Sequence, residues 1–300
     1  MILSHRLRVA NSQGPNIVTD GLAFHIDASN PNSFDPSTNS SSVTDLVTGT
    51  LNSSFYGNNV GYAGNTTNSS GSDPGHFTFA NPGAYASNGA PFGIVFSNSM
   101  FDLANYPTYS FDCWFRLGAS GNNNYNHICQ FASNNGIGGY SYNPISLQAY
   151  AIHAITNSSQ NAGPAKLVTA TWYGSGNGTE TTIDLTVNTP SLGTNQTFIQ
   201  DKWFHFAYSS NPNGWAYGGY RRHWIDGVRV NGTQYGSADY MSYTSRSGTD
   251  RLYIAGTEGV YSNRTRYQGD IARFRYYKSK LLSDAEVAQN WNQEKALFGR

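Results

Sequence analysis

Enzymatic chemistry needs acids, bases and nucleophiles at fixed spacings, and this chain is sparing with all three. It has four glutamates, Glu180, Glu258, Glu286 and Glu294, in 300 residues. Cleaving a glycosidic bond takes two carboxyl groups flanking it, about 5 Å apart in retaining enzymes. No two of these glutamates are spaced to meet on one strand, so a pair would have to be mixed and brought from distant strands, Asp184 with Glu258 for instance. Seven histidines are scattered, with no Gly-x-Ser-x-Gly, no His-Glu-x-x-His and no phosphate-cradling glycine loop. His205, between Phe204 and Phe206, reads as a core hydrogen-bonding group rather than a proton carrier. On these residues the chain is not expected to be an enzyme.

Aromatic side chains are the richer resource. Trp215, Tyr217, Tyr220, Tyr235, Tyr240, Tyr243 and Tyr261 concentrate between residues 211 and 267, in glycine-rich connections. An aromatic face beside Asn, Asp and Gly suits a sugar ring, whose CH groups stack while its hydroxyls bond to amides and carboxylates. The same residue types suit a subunit or partner interface, where Tyr and Trp are enriched and charge is depleted. They also serve as padding in long loops, and all three roles are open at this stage.

Charge excludes some partners. Eighteen Lys and Arg cancel eighteen Asp and Glu, and charged residues are 12% of the chain. A nucleic-acid or anionic-membrane binder needs a basic footprint that is missing here. No apolar run approaches the roughly 18 residues of a membrane span, so no membrane insertion is expected. The opening Met1-Ile-Leu-Ser-His-Arg-Leu-Arg-Val-Ala10 interrupts its apolar run with His5, Arg6 and Arg8, unlike a secretory leader. Synthesis in the cytoplasm is therefore expected, with Cys113 and Cys129 as buried free thiols.

The elements that must position these residues are short strands. Abundant Asn, Ser, Thr and Gly with 21 Tyr and 16 Phe suit strands joined by turns. Near the C-terminus, alternation predicts a strand with Ala272, Phe274 and Tyr276 on one face and Arg273 and Arg275 on the other. It runs into a helix announced by a Ser283/Glu286 capping box, a Leu282/Val287 hydrophobic staple and a terminating Gly299. Val287, Trp291 and Phe298 fall near one helical face, which predicts a lid pinned onto an apolar surface. Lys166–Trp172, 147–153 and 182–187 read as further strands, and Asp226-Gly227 as a tight hairpin turn.

This closing segment resembles the last strand and helix of the laminin-G-like, concanavalin A-like lectin/glucanase family. So, in the family's order, do residues 21–31, Tyr109-Ser-Phe-Asp-Cys-Trp-Phe-Arg116, Lys202-Trp-Phe-His-Phe-Ala207, His223-Trp-Ile-Asp-Gly-Val-Arg-Val230 and Arg251-Leu-Tyr-Ile-Ala-Gly256. The resemblance implies an all-β fold, a jelly-roll β-sandwich of two antiparallel sheets with a short C-terminal helix. It divides the chain into an N-terminal arm, 1–20, and one domain, 21–300. Retaining glucanases of the family carry a Glu-x-Asp-x-Glu strand, which this chain lacks. Laminin-G-like domains often hold a calcium ion. Asp27, Asp226 and Asp270 lie in the matching motifs, but each also fits a structural role, so no cofactor is expected and a structural calcium ion stays an open alternative.

The opening residues, with Ile17-Val-Thr-Asp-Gly-Leu-Ala-Phe-His-Ile-Asp27, look like those of laminin-G-like virion proteins from tailed, especially marine, phages. That resemblance implies a non-enzymatic virion surface protein, either a capsid decoration protein or part of a tail fibre or spike. Its arm, with His5, Arg6 and Arg8, would dock on other virion proteins, a homo-oligomer is expected, and the aromatic loops would touch host glycans. A free-standing carbohydrate-binding lectin or adhesin and a glycan-cleaving enzyme on the same scaffold are the alternatives.

Overall fold

The computed structural model describes residues 16–37, 41–56, 60–64, 73–79, 93–102, 106, 108–117, 126–133, 145–150, 166–172, 178–184, 202–211, 220–230, 233–235, 249–256, 267 and 269–300. Their strands are β1 (Leu22–Asp27), β2 (Ser54–Tyr56), β3 (Val60–Ala63), β4 (His76–Phe79), β5 (Gly93–Ser97), β6 (Tyr109–Leu117), β7 (Asn126–Ser133) and β8 (Ile145–Tyr150), followed by β9 (Lys166–Trp172), β10 (Gly178–Asp184), β11 (Trp203–Asn211), β12 (Tyr220–Ile225), β13 (Val228–Val230), β14 (Thr233–Tyr235), β15 (Thr249–Ile254) and β16 (Gly269–Lys278). One α-helix, α1 (Asp284–Glu294), follows β16. Sheet one runs β13-β12-β11-β6-β16-β4-β3, with β1 also paired to β16; sheet two runs β14-β10-β9-β8-β7-β15-β5-β2. The fold is the expected jelly-roll sandwich of antiparallel sheets.

The alternation of β6 shows how the sequence builds the layers. Phe111, Cys113 and Phe115 enter the core between the sheets, while Ser110, Asp112 and Trp114 lie on the opposite, outer face. Phe111 stacks on Phe274 of its own sheet at 5.7 Å and meets Phe131 of sheet two at 6.1 Å. Cys113 and Cys129 are both buried in this core as free thiols, as expected, and burial pushes the Cys113 thiol up.

One register expectation is corrected. Ile271 pairs with Phe115 and Arg273 with Trp114, so Ala272 and Arg273 together oppose a single residue of β6. This bulge turns Ala272 to the outer face beside Trp114, Trp203 and Phe298, away from Phe274 and Tyr276. Strict alternation could not foresee it, because a bulge inserts one residue without changing the composition of the strand.

The outer face of sheet one is covered by α1. Both halves of the predicted capping box are present, Leu282 and Val287 share one cluster with Val18, Ala207, Trp224 and Tyr277, and Gly299 closes the segment at φ 66°. Trp114 stacks on Phe298 at 3.8 Å and on Trp291 at 5.1 Å. Residues 16–20 join the same layer: Val18 N–H donates to Asn290 Oδ1 at 2.8 Å, and Lys280 pairs with Asp20 at 2.6 Å. This end of the predicted arm thus packs on its own domain, whereas His5, Arg6 and Arg8 lie outside the described residues.

The β12–β13 turn completes the cover. Asp226 at φ 51° and Gly227 at φ 76° make the tight two-residue hairpin that the sequence announced. Gly227 lies so close to α1 that an added Cβ would come within 2.7–2.9 Å of Trp291. Gly227→Ala should therefore combine left-handed backbone strain with overpacking and destabilise by at least about 2 kcal/mol, read from urea unfolding midpoints.

Candidate functional site

Two clusters of chemically capable side chains occur among the described residues, one buried beneath α1 and one at a rim. The buried cluster is laid out by strand register on the outer face of sheet one. His25, Arg275, Asp112, Ala207 and Trp224 form one transverse row, and Asp27, Arg273, Trp114 and His205 the next. Helix α1 lowers Asn290 and Glu294, one turn apart, onto these rows. Arg273 meets Asp27 at 3.0 Å and Glu294 at 2.9 Å, and Arg275 meets Asp112 at 2.8 Å and also Glu294. Trp114 Nε1 donates to Glu294 at 2.7 Å, and Asn290 Nδ2 donates to Asp112 at 2.8 Å.

Burial by itself would raise the Asp112 carboxyl, but Arg275, the neighbouring His205 and Asn290 hold it well below the usual carboxylate range. Glu294 follows the same logic: desolvation is outweighed by Arg275 and Arg273, and its carboxyl titrates low. Every carboxylate of this cluster is buried and paired with a guanidinium beneath α1, so none presents an open face to a substrate. It is a clasp, and the lid expected to be pinned onto an apolar surface is pinned equally by charge.

The rim cluster is different. Arg116, near the end of β6, reaches Asp270 at 2.8 Å, Asp73 at 3.2 Å and His76 Nε2 at 3.2 Å, with its guanidinium 4.8 Å from the Trp203 ring centre. Trp203 Nε1 donates to Asp73 at 3.0 Å, and Tyr267 donates to the Arg116 carbonyl at 2.8 Å. His76 Nδ1 lies 2.7 Å from the Pro74 carbonyl, which can only accept; Nδ1 therefore carries the proton and Nε2 accepts from Arg116. Asp73 is 44% exposed, and its carboxylate and that of Asp270 lie 3.9 and 3.8 Å from the same His76 nitrogen, so the two are less than about 8 Å apart. That upper bound is compatible with the roughly 5 Å spacing of retaining glycosidase pairs and with the short end of the inverting range, about 6.5–9.5 Å. Arg116 pairs with both, and such a charged, hydrogen-bonding rim beside Trp203 is chemically suited to sugar hydroxyls.

Neither cluster was named from the sequence. The signal was there in outline, a single acid in apolar β6 opposite two arginines in aromatic β16, but partners on separate strands are joined only by register. Asp184 stands on β10 and Glu258 lies outside the described residues. The three calcium candidates each face a guanidinium: Asp27 that of Arg273, Asp226 that of Arg300 and Asp270 that of Arg116. No group of three or more His, Cys, Asp or Glu disposed to hold a metal occurs among the described residues.

Of the aromatic candidates, Trp215, Tyr217, Tyr240, Tyr243 and Tyr261 lie outside the described residues, while Tyr220 opens β12 and Tyr235 closes β14. The strand ends that hold them are informative. Ser210 pairs with Tyr109, which pairs with Lys278, so β11 ends and β12 begins at the Tyr109 end of the sandwich. Phe131 of sheet two lies 6.0 Å from Tyr109 and 5.5 Å from Tyr276, and just beyond it Ser133 pairs with Thr249, so β15 starts at that end too. Connections 212–219 and 236–248 are thus anchored at one end. The connection that bears Tyr261 leads into Tyr267 at the other, beside Arg116.

No protein-family model matches the chain, and no curated protein matches it in sequence. Solved structures do. A Trypanosoma rangeli sialidase in complex with 2,3-difluoro-KDN is similar with a TM-score of 0.54 and 12% identity, over 98% of this chain and 38% of the sialidase. The sialidase in complex with the inhibitor DANA gives 0.51 and 13%, over 96% of this chain and 36% of that one. A botulinum neurotoxin serotype D/C binding domain gives 0.50 and 14%, over 91% and 52%. The chain spans little more than a third of the length of these sialidases. At such identities the likeness is one of fold alone.

These neighbours overturn one expectation. The chain was expected not to be an enzyme because familiar motifs are missing, yet its fold is shared with parts of sialidases, so missing motifs do not exclude catalysis.

Two outcomes test the clasp. Glu294→Ala leaves two buried guanidiniums short of a carboxylate and should cost about 3–5 kcal/mol, measured by urea unfolding. The pH dependence has a definite sign. Burial, with Arg275 and Arg273, lowers the His25 imidazole well below its ordinary value, and burial with Arg221 lowers His223 to about 3. Both bind protons more readily when unfolded, so the stability they contribute is complete above about pH 6.5 and is lost as pH falls toward their folded values. Unfolding midpoints measured at pH 7 and pH 5 should drop, by up to about 1 kcal/mol per pH unit for each group. Asp112 and Glu294 extend the loss at still lower pH, below about 4.

Proposed function

We propose that this chain is a glycan-recognising jelly-roll domain displayed on a virion surface. One observation carries the glycan reading: the strands that bracket Trp215, Tyr217, Tyr240 and Tyr243 end or start at the Tyr109 end of the sandwich, and Tyr220 begins its strand there. Tyr235 closes β14 on a strand directed to the same end, since Tyr235 pairs with Glu180 and Gly178 with Trp172. Six of the seven aromatic candidates are therefore tied to one end of a rigid scaffold, in connections rich in Gly, Asn and Ser. Rigid strands presenting aromatic loops are a common way to hold planar stacking faces for sugar rings. Tyr261, which lies outside the described residues in the connection from β15 to Tyr267, is not used in this reading.

The virion setting rests on the resemblance of residues 1–27 to the opening of phage laminin-G-like virion proteins. Since residues 16–20 pack on α1, the docking role falls to residues 1–15 with His5, Arg6 and Arg8, on a neighbouring virion protein or a second copy.

A second reading is favoured by the rim pair. Asp73 and Asp270, less than about 8 Å apart beside Trp203, are placed to act on a glycosidic bond should a bound sugar displace Arg116 from one of them.

The intact protein on a glycan array should bind a defined set of glycans. Trp215→Ala and Tyr217→Ala should each weaken that binding about tenfold, in line with one aromatic contact of roughly 1–1.5 kcal/mol, without lowering the unfolding midpoint. Absence of any bound glycan would remove the reading. Release of reducing sugar from the bound glycans, abolished by Asp73→Asn, would instead establish the second. Deleting residues 1–15 should prevent incorporation into particles while leaving the sandwich folded; unchanged incorporation would count against the docking role.

A further inference from the structure

Beneath α1 sits a titratable group that the clasp does not use. His25 is fully buried on β1, and neither ring nitrogen has a hydrogen-bond partner among the described residues. Its place in the register is directly opposite Arg275, whose own strand also carries Arg273. The groups around it come from every packed element. They are Arg273, Arg275 and Tyr277 of β16, Asp112 of β6, Asp27 of its own strand and His205 of β11, together with Asp45, whose Oδ1 accepts from the His25 backbone N–H at 2.8 Å, and Asn290 and Glu294 of α1.

Every carboxylate in that set is already engaged. Asp27 holds Arg273, Asp112 holds Arg275 and Asn290, and Glu294 holds both arginines and Trp114. Asp45 accepts from the backbone amides of His25, Val47 and Thr48. An imidazolium at His25 would be a third cation beside Arg273 and Arg275 in a dry layer where neither ring nitrogen has a hydrogen-bond partner among the described residues, and admitting water would solvate it.

Water can reach this layer past the 43–49 segment beside β1, by parting β1 from β16 or by lifting α1, and the first breaks the bonds of His25 to Asp45 and Leu46. Parting β1 from β16 would break a ladder of backbone hydrogen bonds that runs from Leu22 to Asp27. Lifting α1 breaks no backbone ladder; it breaks the side-chain contacts of Asp284, Glu286, Val287, Gln289, Asn290, Trp291, Glu294 and Phe298 and the bond from the Val18 amide.

We propose that α1 is an acid-released cover, with protonation of His25 as the trigger that lifts it from sheet one. Release uncovers Trp114, parts Trp291 and Phe298 from it, and removes the Asn290 acceptor that tethers Val18, so the N-terminal segment loosens together with the helix. The device thereby couples the two termini to acidity, independently of any glycan surface.

Amide exchange by NMR or mass spectrometry on the full chain tests this. Protection factors of Val287 to Glu294 should fall about tenfold for each pH unit between pH 6.5 and 4.5, the slope of one linked proton. Over the same interval Phe111 of β6 and Phe206 of β11 should stay more protected than α1. His25→Gln should keep α1 protected down to pH 5. Loss of protection in α1 and the strands in one step would overturn the proposal, as would a His25→Gln protein that releases α1 over the same range as the parent. Should His25→Gln fail to fold, the imidazole of the parent protein decides: His25 must take up its proton in step with α1 exchange, and a protonated His25 beneath a protected helix would overturn the proposal.

Discussion

Glu294 lies between Arg273 and Arg275, and the outer half of the molecule depends on that contact. The two arginines alternate along β16, at the centre of sheet one, and point away from the core. Without an acid above them, that face of the sheet would have to remain open to water. With Glu294 in place it is dry, and the dry face is what allows Trp114, Trp203, Trp291 and Phe298 to pack over it. Charge and aromatic packing are thus mutually conditional: the helix excludes water from the ion pairs, and the ion pairs remove the cost of burying the guanidiniums that the helix covers. Ion pairs of this kind are poor sources of net stability compared with an apolar layer of the same shape. What they add here is registration. Asp27, Asp112 and Glu294 each face a particular arginine, so β1, β6, β16 and α1 fit together in one alignment.

The sandwich divides its labour between faces and ends. Its inner face is almost wholly aromatic and apolar, with Phe24, Phe111 and Tyr276 of sheet one meeting Phe96 and Phe131 of sheet two across the layers. One outer face is consumed by the clasp. Connections leave the strands at the two ends: β11, β14 and β15 meet the segments 212–219 and 236–248 at one, and the Asp73, His76, Arg116, Asp270 and Trp203 rim lies at the other. A fold shared with parts of sialidases and with a neurotoxin binding domain is compatible with binding at either end and with catalysis. Which end carries the activity is a property of side chains and not of topology.

Much of the architecture was legible in the residues. The capping box, staple and terminal glycine placed α1, the Asp-Gly pair placed the β12–β13 hairpin, Lys166–Trp172 was legible as the strand β9, and the family resemblance pointed to β6 and β11. These are local signals, carried by residues within a turn or two of one another, and local physics suffices to read them. The predicted strand at 182–187 begins earlier, at Gly178, because pairing with β9 and β14 extends it through a polar Thr-rich stretch with no hydrophobic pattern. Ala272 changed faces because a bulge is decided by the neighbouring strand.

By itself, then, the sequence determined the fold class, the helix and its limits, the aromatic endowment and the near absence of net charge, all consequences of residue type and short-range spacing. It could not determine which charges would meet. Asp112 and Arg275 are 163 positions apart, and Arg116 and Asp73 are 43 apart. Coulombic pairing depends on distance in space and on the loss of water around it, and both exist only once the sheets have formed and α1 has closed over them. The tertiary structure alone turned scattered acids and arginines into a buried clasp and a partly open rim, and left the ring nitrogens of the buried His25 and His205 without hydrogen-bond partners among the described residues.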